Sequence, residues 1–226
     1  MSRPVGPPVE GFSPPAAPGP DRIDGRTVRL ERLDPAKHSD SLFRANGGED
    51  WVWDYLGYGP FPDFEGYWNW QAAAAASSDP FFYAFVERDG GEALGLGSYL
   101  RIDTRNGVIE IGHIQMSPPL QRTTAASEAI MLMVAWAFDA GYRRVEWKCD
   151  ALNAPSRAAA ERFGFTFEGV FRQHMIVKGR SRDTAWFAII NGDWPAIRSR
   201  WQAWLAPGNF DAEGRQRLRL NQIGPN

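Results

Sequence analysis

The sequence predicts an α/β fold of the mixed α+β type, in which one twisted, mixed sheet of about seven strands carries helices on both faces. Two observations support this. Alternating apolar residues and the turn sequences at 88–91 and 104–107 mark antiparallel hairpins in the middle of the chain. Helical segments at 122–140 and 153–163 then separate the later strands, as in strand–helix–strand crossovers. The length of 226 residues suits one domain with extensions.

The first half of the domain begins with a strand at 26–32, where Val28 and Leu30 alternate with polar residues. Asp34 and Pro35 predict a helix start, with Asp34 as the cap and proline in the first turn. The segment 37–78 is expected to be mostly helical, with aromatic interruptions.

The second half is punctuated by glycine and proline. The helix at 122–140 ends at Gly141, the helix at 153–163 ends at Gly164, and Asp193 caps a further helix. The remaining strands are predicted at 81–87, 93–103, 108–116, 143–149, 165–177 and 183–190.

The two ends of the chain differ from its middle. Residues 1 to about 20 are rich in Pro and Gly, which predicts an extended, mobile arm that can also lie on the surface of the domain. The tail after residue 207 is polar and has no predicted element. We therefore expect an arm at 1–24, one domain at 25–192, and a C-terminal helix with its tail at 193–226.

Composition excludes several classes of protein. A net charge of −2 argues against sequence-independent nucleic-acid binding, which needs a basic face. No apolar run reaches the ~20 residues that span a bilayer, and no signal segment precedes the domain. The single cysteine, Cys149, excludes an internal disulfide and a thiolate zinc site. We expect a soluble, cytoplasmic protein with no metal, no nucleic-acid partner and no membrane partner.

The stretch NAPSRAAAERFGF, residues 153–165, is explained in large part by helix formation alone. Asn153 is a good N-cap, Pro155 suits the first turn, and Gly164 ends the helix. Helix caps are common, so this stretch indicates a function only in combination with other motifs.

Three motifs in combination resemble the GNAT superfamily of acyl-CoA-dependent N-acyltransferases, and within it the RimJ/RimL-type branch. They are EIGH at 110–113, QRTTAASEA at 121–129, and Asn153, Ser156 and Gly164-Phe165 in the later helix. The resemblance covers about residues 26–192. It implies that the strands at 108–116 and 143–149 splay apart around acetyl-CoA, whose acetyl group passes to a primary amine by direct attack.

In that family the loop backbone and the following helix N-terminus bind the diphosphate of acetyl-CoA. Aligned on the SEA triplet, the two family glycines fall at Arg122 and Thr124, and a small residue falls at Ala126. Threonine still supplies an N–H, so we interpret the loop as a variant cradle. The alternative is that Thr123 or Thr124 only caps the helix. The implied cofactor-binding residues are Gln115, Met116, Ser117, Gln121, Arg122, Thr123, Thr124, Ala125, Ala126, Ser127, Asn153 and Ser156.

The resemblance also implies catalytic residues. It favours Glu110 as the base, whereas His113 has the better ordinary pKa for that task. Strand alternation predicts that these two side chains point to opposite faces. Each has a structural alternative: a salt-bridged Glu110 and a satisfied, partly buried His113. Many family members have a tyrosine that donates a proton to the departing thiolate, and its position here is occupied by Ala160. We therefore expect the Ser156 hydroxyl to hydrogen-bond the thioester sulfur instead.

The acceptor side is predicted to be aromatic and acidic, which suits an amine. Most of its aromatic residues are expected to pack in the core: Trp51, Trp53, Tyr55, Tyr58, Phe61, Phe64, Tyr67, Trp68 and Trp70. Basic residues follow on the last hairpin, either solvated or available to an anion: Arg172, His174, Lys178, Arg180 and Arg182. The acceptor is either a protein N-terminus or a small amine, and the resemblance is compatible with a homodimer. The competing hypothesis is a non-catalytic acyl-CoA-binding or interaction module.

Overall fold

The computed structural model describes residues 3–224, and it confirms a mixed sheet with helices on both faces. The sheet has eight strands in the order β1-β2-β3-β4-β5-β6-β8-β7. Their bounds are β1 Arg22–Asp24, β2 Val28–Arg32, β3 Phe81–Glu87, β4 Ala93–Asp103, β5 Val108–Met116, β6 Arg144–Asp150, β7 Thr166–Val177 and β8 Arg180–Ile190. The strand that sequence analysis missed is β1, because three residues are too few to show an alternating pattern.

Five α-helices lie within residues 3–224: α1 Pro35–Asn46, α2 Phe64–Ala76, α3 Thr124–Asp139, α4 Ala154–Phe163 and α5 Trp194–Leu205. Asp34 caps α1 as predicted, accepting a hydrogen bond from the Ala36 N–H at 3.0 Å. The predicted side-chain cap at Asp193 is wrong. Asp193 already has helical backbone angles, and its carboxylate makes no cap hydrogen bond.

The sheet separates two apolar clusters. Ile109 and Ile111 point into the larger cluster, which they share with α3, α4 and α5. Phe82 and Leu96 point into the smaller cluster, formed with α1, α2 and the aromatic segment between them. Because side chains alternate along a strand, the identity of a residue's neighbours shows which face it occupies.

One pair of strands in the middle of the sheet is parallel and comes apart. β5 pairs with β6 from Val108 with Arg144 to Ile111 with Trp147, and no pairing follows. Both strands continue beyond this point, to Met116 in β5 and to Asp150 in β6. Each keeps its other neighbour, β4 or β8. The predicted splaying of the central strands is therefore present.

The Pro-rich arm lies along the surface of the domain. The Tyr142 hydroxyl donates to the Ala16 carbonyl at 3.1 Å, and the Tyr83 hydroxyl donates to the Pro20 carbonyl at 2.8 Å. The Phe12 ring packs where a Cβ at Gly107 would stand, so glycine is needed at the turn before β5.

The tail that the sequence left unassigned folds back onto α5. Phe210 and Gln216 form a β-bridge. The Trp204 indole N–H donates to the Gln216 side chain at 2.9 Å. The buried Asn209 amide donates to the Trp204 and Leu218 carbonyls. These polar contacts hold residues 209–218 against the end of α5.

A buried carboxylate ties α3 to the turn between β1 and β2. Glu128 is 4% exposed. It accepts hydrogen bonds from the Arg26 N–H at 2.6 Å, the Thr27 N–H at 2.7 Å and the Thr27 hydroxyl at 2.5 Å. The glutamate of the SEA triplet therefore has a structural role.

We expect Glu128→Ala to lower the free energy of unfolding by about 3 kcal/mol, because it leaves buried donors without an acceptor. Urea denaturation measures this loss. Glu161→Ala is the control, since Glu161 is exposed on α4, and a change within about 0.5 kcal/mol is expected there. Equal effects of the two substitutions would contradict the assigned role.

Candidate active site

The gap between β5 and β6 begins beside a β-bulge. Gly112 pairs with Ser98 and Gln115 pairs with Leu96, so His113 and Ile114 share the space opposite a single residue of β4. His113 has φ 50°, in the left-handed region. The bulge turns β5 away from regular pairing at the point where β6 departs.

The bulge also corrects a prediction. Glu110 alternates with Ile109 and Ile111, so it faces the smaller cluster. His113 packs against Tyr58 and Phe82 of that same cluster. The prediction of opposite faces is wrong, because the extra residue of the bulge shifts the alternation by one. Glu110 and His113 therefore lie on the same face of the sheet, the face that carries the smaller cluster.

The three residues at the end of β5 differ in what their backbone can bind. The Ser117 N–H donates to the Leu94 carbonyl at 3.1 Å. Met116 lies directly opposite Gly95, so its own N–H points away from β4 and towards the gap. Its carbonyl accepts from the Gln121 side chain at 2.9 Å. The Gln115 side chain is buried and donates to the α1 residue Asn46.

The loop before α3 has no glycine, yet it presents backbone donors. Arg122 stands at the first glycine position of the resembled motif and has φ 64°. The Thr123 hydroxyl caps α3 by accepting from the Ala126 N–H at 3.1 Å. Within residues 3–224, the N–H groups of Arg122, Thr124 and Ala125 have no acceptor. Thr123 thus caps the helix, as the structural alternative proposed, and three donors remain available.

An open cavity of about 440 Å³ adjoins this loop. Its lining includes Arg122, Thr124, Ser127, Arg162, Trp204 and Arg215. Sequence analysis missed the last three. Arg162 is a charged residue two positions before the Gly164 cap, which is a weak signal. Trp204 is a buried residue of α5, and Arg215 lies in a tail that has no periodic pattern. Exposed backbone donors, a helix N-terminus and arginines suit a phosphorylated ligand.

Ser156 lies in the first turn of α4, where the Asn153 side chain accepts from its N–H at 3.0 Å. Its hydroxyl oxygen accepts from the Trp147 indole at 3.0 Å, and its hydroxyl hydrogen can donate to the Cys149 sulfur. Burial raises the pKa of the Cys149 thiol, and the nearby Ser156 hydroxyl partly opposes that shift. Residue 160 is a fully buried alanine, so no tyrosine hydroxyl is available at this position.

Glu110 is part of a buried ion-pair chain. Its carboxylate lies 2.6 Å from Arg101 Nη1 and 2.9 Å from Lys148 Nζ, with its side chain 4% exposed. Lys148 also pairs with Glu146 at 2.7 Å and lies over the Trp186 ring. The salt-bridged arrangement that the sequence left open is present. Arg101 and Lys148 were not found from the sequence, because they reach Glu110 from two other strands.

His113 lies among aromatic rings rather than charges. Its ring is stacked on Tyr58, with centroids 5.6 Å apart, and touches Phe82. Burial, followed by the positive charge of Arg101, lowers the pKa of His113 to about 4. The imidazole is therefore neutral at pH 7 and can accept a proton, but only as a weak base.

The aromatic residues at 51–70, which continue into α2, pack mainly in or against the smaller cluster, as predicted. Trp53 and Tyr67 are buried, whereas Trp51 is 49% exposed. Two hydrogen bonds join this segment to the last hairpin and to the loop after β6. Lys178 Nζ of the last hairpin donates to the Trp53 carbonyl at 2.8 Å, and the Tyr55 hydroxyl donates to the Leu152 carbonyl at 3.3 Å.

Residues 3–224 contain neither a candidate metal site nor a candidate membrane-spanning helix. No group of three or more His, Cys, Asp or Glu residues is placed to hold a metal ion. No helix in that range combines the length and apolar character needed to cross a membrane.

Parted strands, a donor-bearing loop before a helix, and a serine that contacts Trp147 where the strands part are the features that the sequence resemblance implies for an acyltransferase. The family model for the acetyltransferase (GNAT) domain matches residues 27–166, which is more than half of the chain. The chain therefore belongs to the GNAT acetyltransferase family. The predicted family and enzyme class are confirmed, and the RimJ/RimL branch stays a prediction.

Solved structures extend the likeness beyond the matched domain. A GCN5-related N-acetyltransferase from Brucella melitensis is 45% identical, with 95% of this chain and 99% of that chain covered and a TM-score of 0.92. A probable GNAT-family acetyltransferase from Chromobacterium violaceum is 43% identical over 87% of this chain and 99% of that chain, with a TM-score of 0.81.

A curated relative matches a shorter part. The uncharacterized N-acetyltransferase p20 of Bacillus licheniformis is 26% identical over 113 residues, which is 50% of this chain. The match spans 63% of that relative's length, a little under two thirds.

The left-handed backbone at Arg122 gives a prediction for the loop. Both Arg122→Gly and Arg122→Ala remove the side chain, but alanine is strained at positive φ. We expect the glycine variant to be more stable by about 1 kcal/mol in thermal unfolding. The control pair is at Arg105, which is not at positive φ, and there alanine should be the more stable. The same order at both sites would refute the strain.

Proposed function

We propose that this acyltransferase moves an acetyl group from acetyl-CoA to a primary amine by direct attack. The observation that supports this best is the gap between β5 and β6. It is bordered by the Met116 N–H, by the donors of the loop before α3, and by the Ser156 hydroxyl. Acetyl-CoA would supply an activated thioester there, and these residues fit its amides, phosphates and sulfur.

In this proposal the loop donors and the helix dipole of α3 bind the diphosphate, as exposed N–H groups at a helix N-terminus bind anions. Arg122 adds a charge beside them, and Gln121 holds the loop to the end of β5. Threonine replaces glycine without removing a donor. Two N–H groups of the loop are not available: that of Thr123 donates to the Leu120 carbonyl, and that of Ala126 donates to the Thr123 hydroxyl.

The proposed role of Ser156 is to donate a hydrogen bond to the departing sulfur. Trp147 fixes the position of the hydroxyl oxygen, and the hydroxyl hydrogen, which can donate to the Cys149 thiol, would turn to the thioester sulfur. Its proximity to the Cys149 thiol places this hydroxyl beside a sulfur atom already. A donor that strengthens its bond as negative charge grows on sulfur lowers the barrier rather than only binding the substrate.

Glu110 and His113 remain the candidates for removing the amine proton. Both lie on the acceptor side of the sheet. Glu110 would lose part of two ion pairs on accepting a proton, whereas the pKa of His113 is about 4. Because His113 is a weak base here and Glu110 is held in two ion pairs, proton removal through water is the third route.

The acceptor is proposed to be an amine because the aromatic segment carries acidic residues, such as Asp50 and Asp54, and presents the exposed rings of Trp51 and Tyr55. The RimJ/RimL resemblance favours a protein N-terminus, and a small amine is the other option. A cytoplasmic location and a homodimer belong to the same proposal.

Release of thiol from acetyl-CoA in the presence of an amine panel tests the function. The panel contains peptides with free N-termini, small primary amines, and N-acetylated peptides as the control. Amine-dependent thiol release and an acetylated product by mass spectrometry are expected. Calorimetric binding of acetyl-CoA without transfer to any amine would instead support the non-catalytic binding module.

We expect Ser156→Ala to lower kcat by roughly 10- to 100-fold, because it removes one hydrogen bond that strengthens as charge develops. The dissociation constant for acetyl-CoA should change much less. Steady-state kinetics and calorimetry measure the two effects. Ser181→Ala on the exposed hairpin is the matched control, and equal losses of turnover and binding at Ser156 would leave it a binding role only.

The base is identified from pH–rate profiles of Glu110→Gln and His113→Gln. If His113 is the base, activity in the parent chain falls only as pH approaches 4, because the imidazole is neutral above that value. His113→Gln would then remove this fall in activity at low pH. If Glu110 is the base, Glu110→Gln would remove the fall in activity instead. A limb that both variants keep, and that moves with the pKa of the acceptor amine, would assign proton removal to water.

A further inference from the structure

An arginine outside the motifs faces the loop cavity. Arg162, in the last turn of α4, donates from Nη2 to the Ser127 hydroxyl at 2.6 Å. Within residues 3–224 no carboxylate pairs with it. Its guanidinium lies 4.8 Å from the Phe163 ring centre and 5.7 Å from that of Trp204. Arg162 is an exposed residue, and partial shielding by its neighbours lowers the pKa of its guanidinium.

The C-terminal tail forms the opposite wall of the cavity. The Phe210–Gln216 bridge and the Trp204–Gln216 hydrogen bond place Arg215 at its edge. Arg215 is paired with Asp211 and Glu213, so its charge is largely compensated. Of the three arginines that line the cavity, Arg122 and Arg162 have no carboxylate partner within residues 3–224. The tail also lies outside residues 27–166, the part that the family model matches.

The position of Arg162 separates it from the diphosphate donors. The free N–H groups belong to Arg122, Thr124 and Ala125, at the entry of α3. The partner of Arg162 is Ser127, which follows these three residues by two to five positions in the chain. CoA carries a second anionic group besides its diphosphate, the ribose 3′-phosphate, which bears close to two negative charges. A guanidinium recognises such a phosphate through paired N–H donors.

We propose that Arg162, backed by the C-terminal segment 207–216, binds the 3′-phosphate of CoA, so that this chain selects CoA thioesters over dephospho-CoA thioesters. This inference rests on the proposed function, because it assumes that acetyl-CoA occupies the gap. The tail is then part of the cofactor site, and its folding against α5 completes that site.

Calorimetry with acetyl-CoA and acetyl-dephospho-CoA tests the selection. The parent chain is expected to bind acetyl-CoA more tightly by on the order of 10-fold, the size of one charge-assisted contact. Arg162→Gln should remove this preference, Arg162→Lys should keep part of it, and Arg217→Gln, a tail charge off the lining, should leave it intact. Unchanged melting temperatures without ligand show that the variants fold.

The outcomes separate the two proposals. An equal loss for both thioesters in Arg162→Gln would move Arg162 to the diphosphate and overturn the inference. The absence of a preference in the parent chain would also overturn it, with the proposed function intact. If acetyl-CoA itself does not bind the parent chain, the proposed function fails first.

Limited trypsin digestion gives a readout independent of activity. Cleavage after Arg215 should slow when CoA is bound, because its 3′-phosphate is held next to the tail. Dephospho-CoA at a concentration giving the same occupancy should protect less. Equal protection by the two ligands would remove the tail from the proposed phosphate site.

Discussion

The parting of β5 and β6 after Ile111 and Trp147 is the constraint on which the rest of the site depends. A sheet normally satisfies its backbone groups by pairing, so an interior gap leaves donors and acceptors open. Here the cost stays local, because β5 remains paired with β4 and β6 with β8. The bulge at His113 supplies the change of direction. The result is an internal sheet edge that an extended, amide-bearing ligand can join as a strand would.

The loop before α3 presents free backbone donors although it contains no glycine. The usual argument for glycine is close approach and positive φ. In this chain one positive φ is adopted by Arg122, at a local conformational cost, and the remaining turn is closed by the Thr123 hydroxyl. Two residues other than glycine, Arg122 and Thr123, thus form the turn that glycines form in a glycine-rich loop. The exchange also brings a positive charge to the cavity.

Most of the fold could be predicted from the sequence, since hairpin turns, helix caps and alternating strands are local features. The candidate site was less accessible. The order of Glu110 and His113 suggested opposite faces, and an inserted bulge residue cancelled that alternation. The partners of Glu110 lie on β4 and β6, so its ion pairs depend on strand register. Arg162 meets Ser127 across 35 positions of sequence, a contact that no local pattern encodes.

The N-terminal arm and the C-terminal tail each contact the domain near an opposite end of β5. Phe12 of the arm packs at Gly107, just before β5 begins, whereas residues 214–216 border the cavity beyond its far end. Nine residues of strand separate these points by about 30 Å. Substitutions at Phe12 would therefore act on the turn before β5, whereas substitutions at residues 214–216 would act at the rim of the cavity.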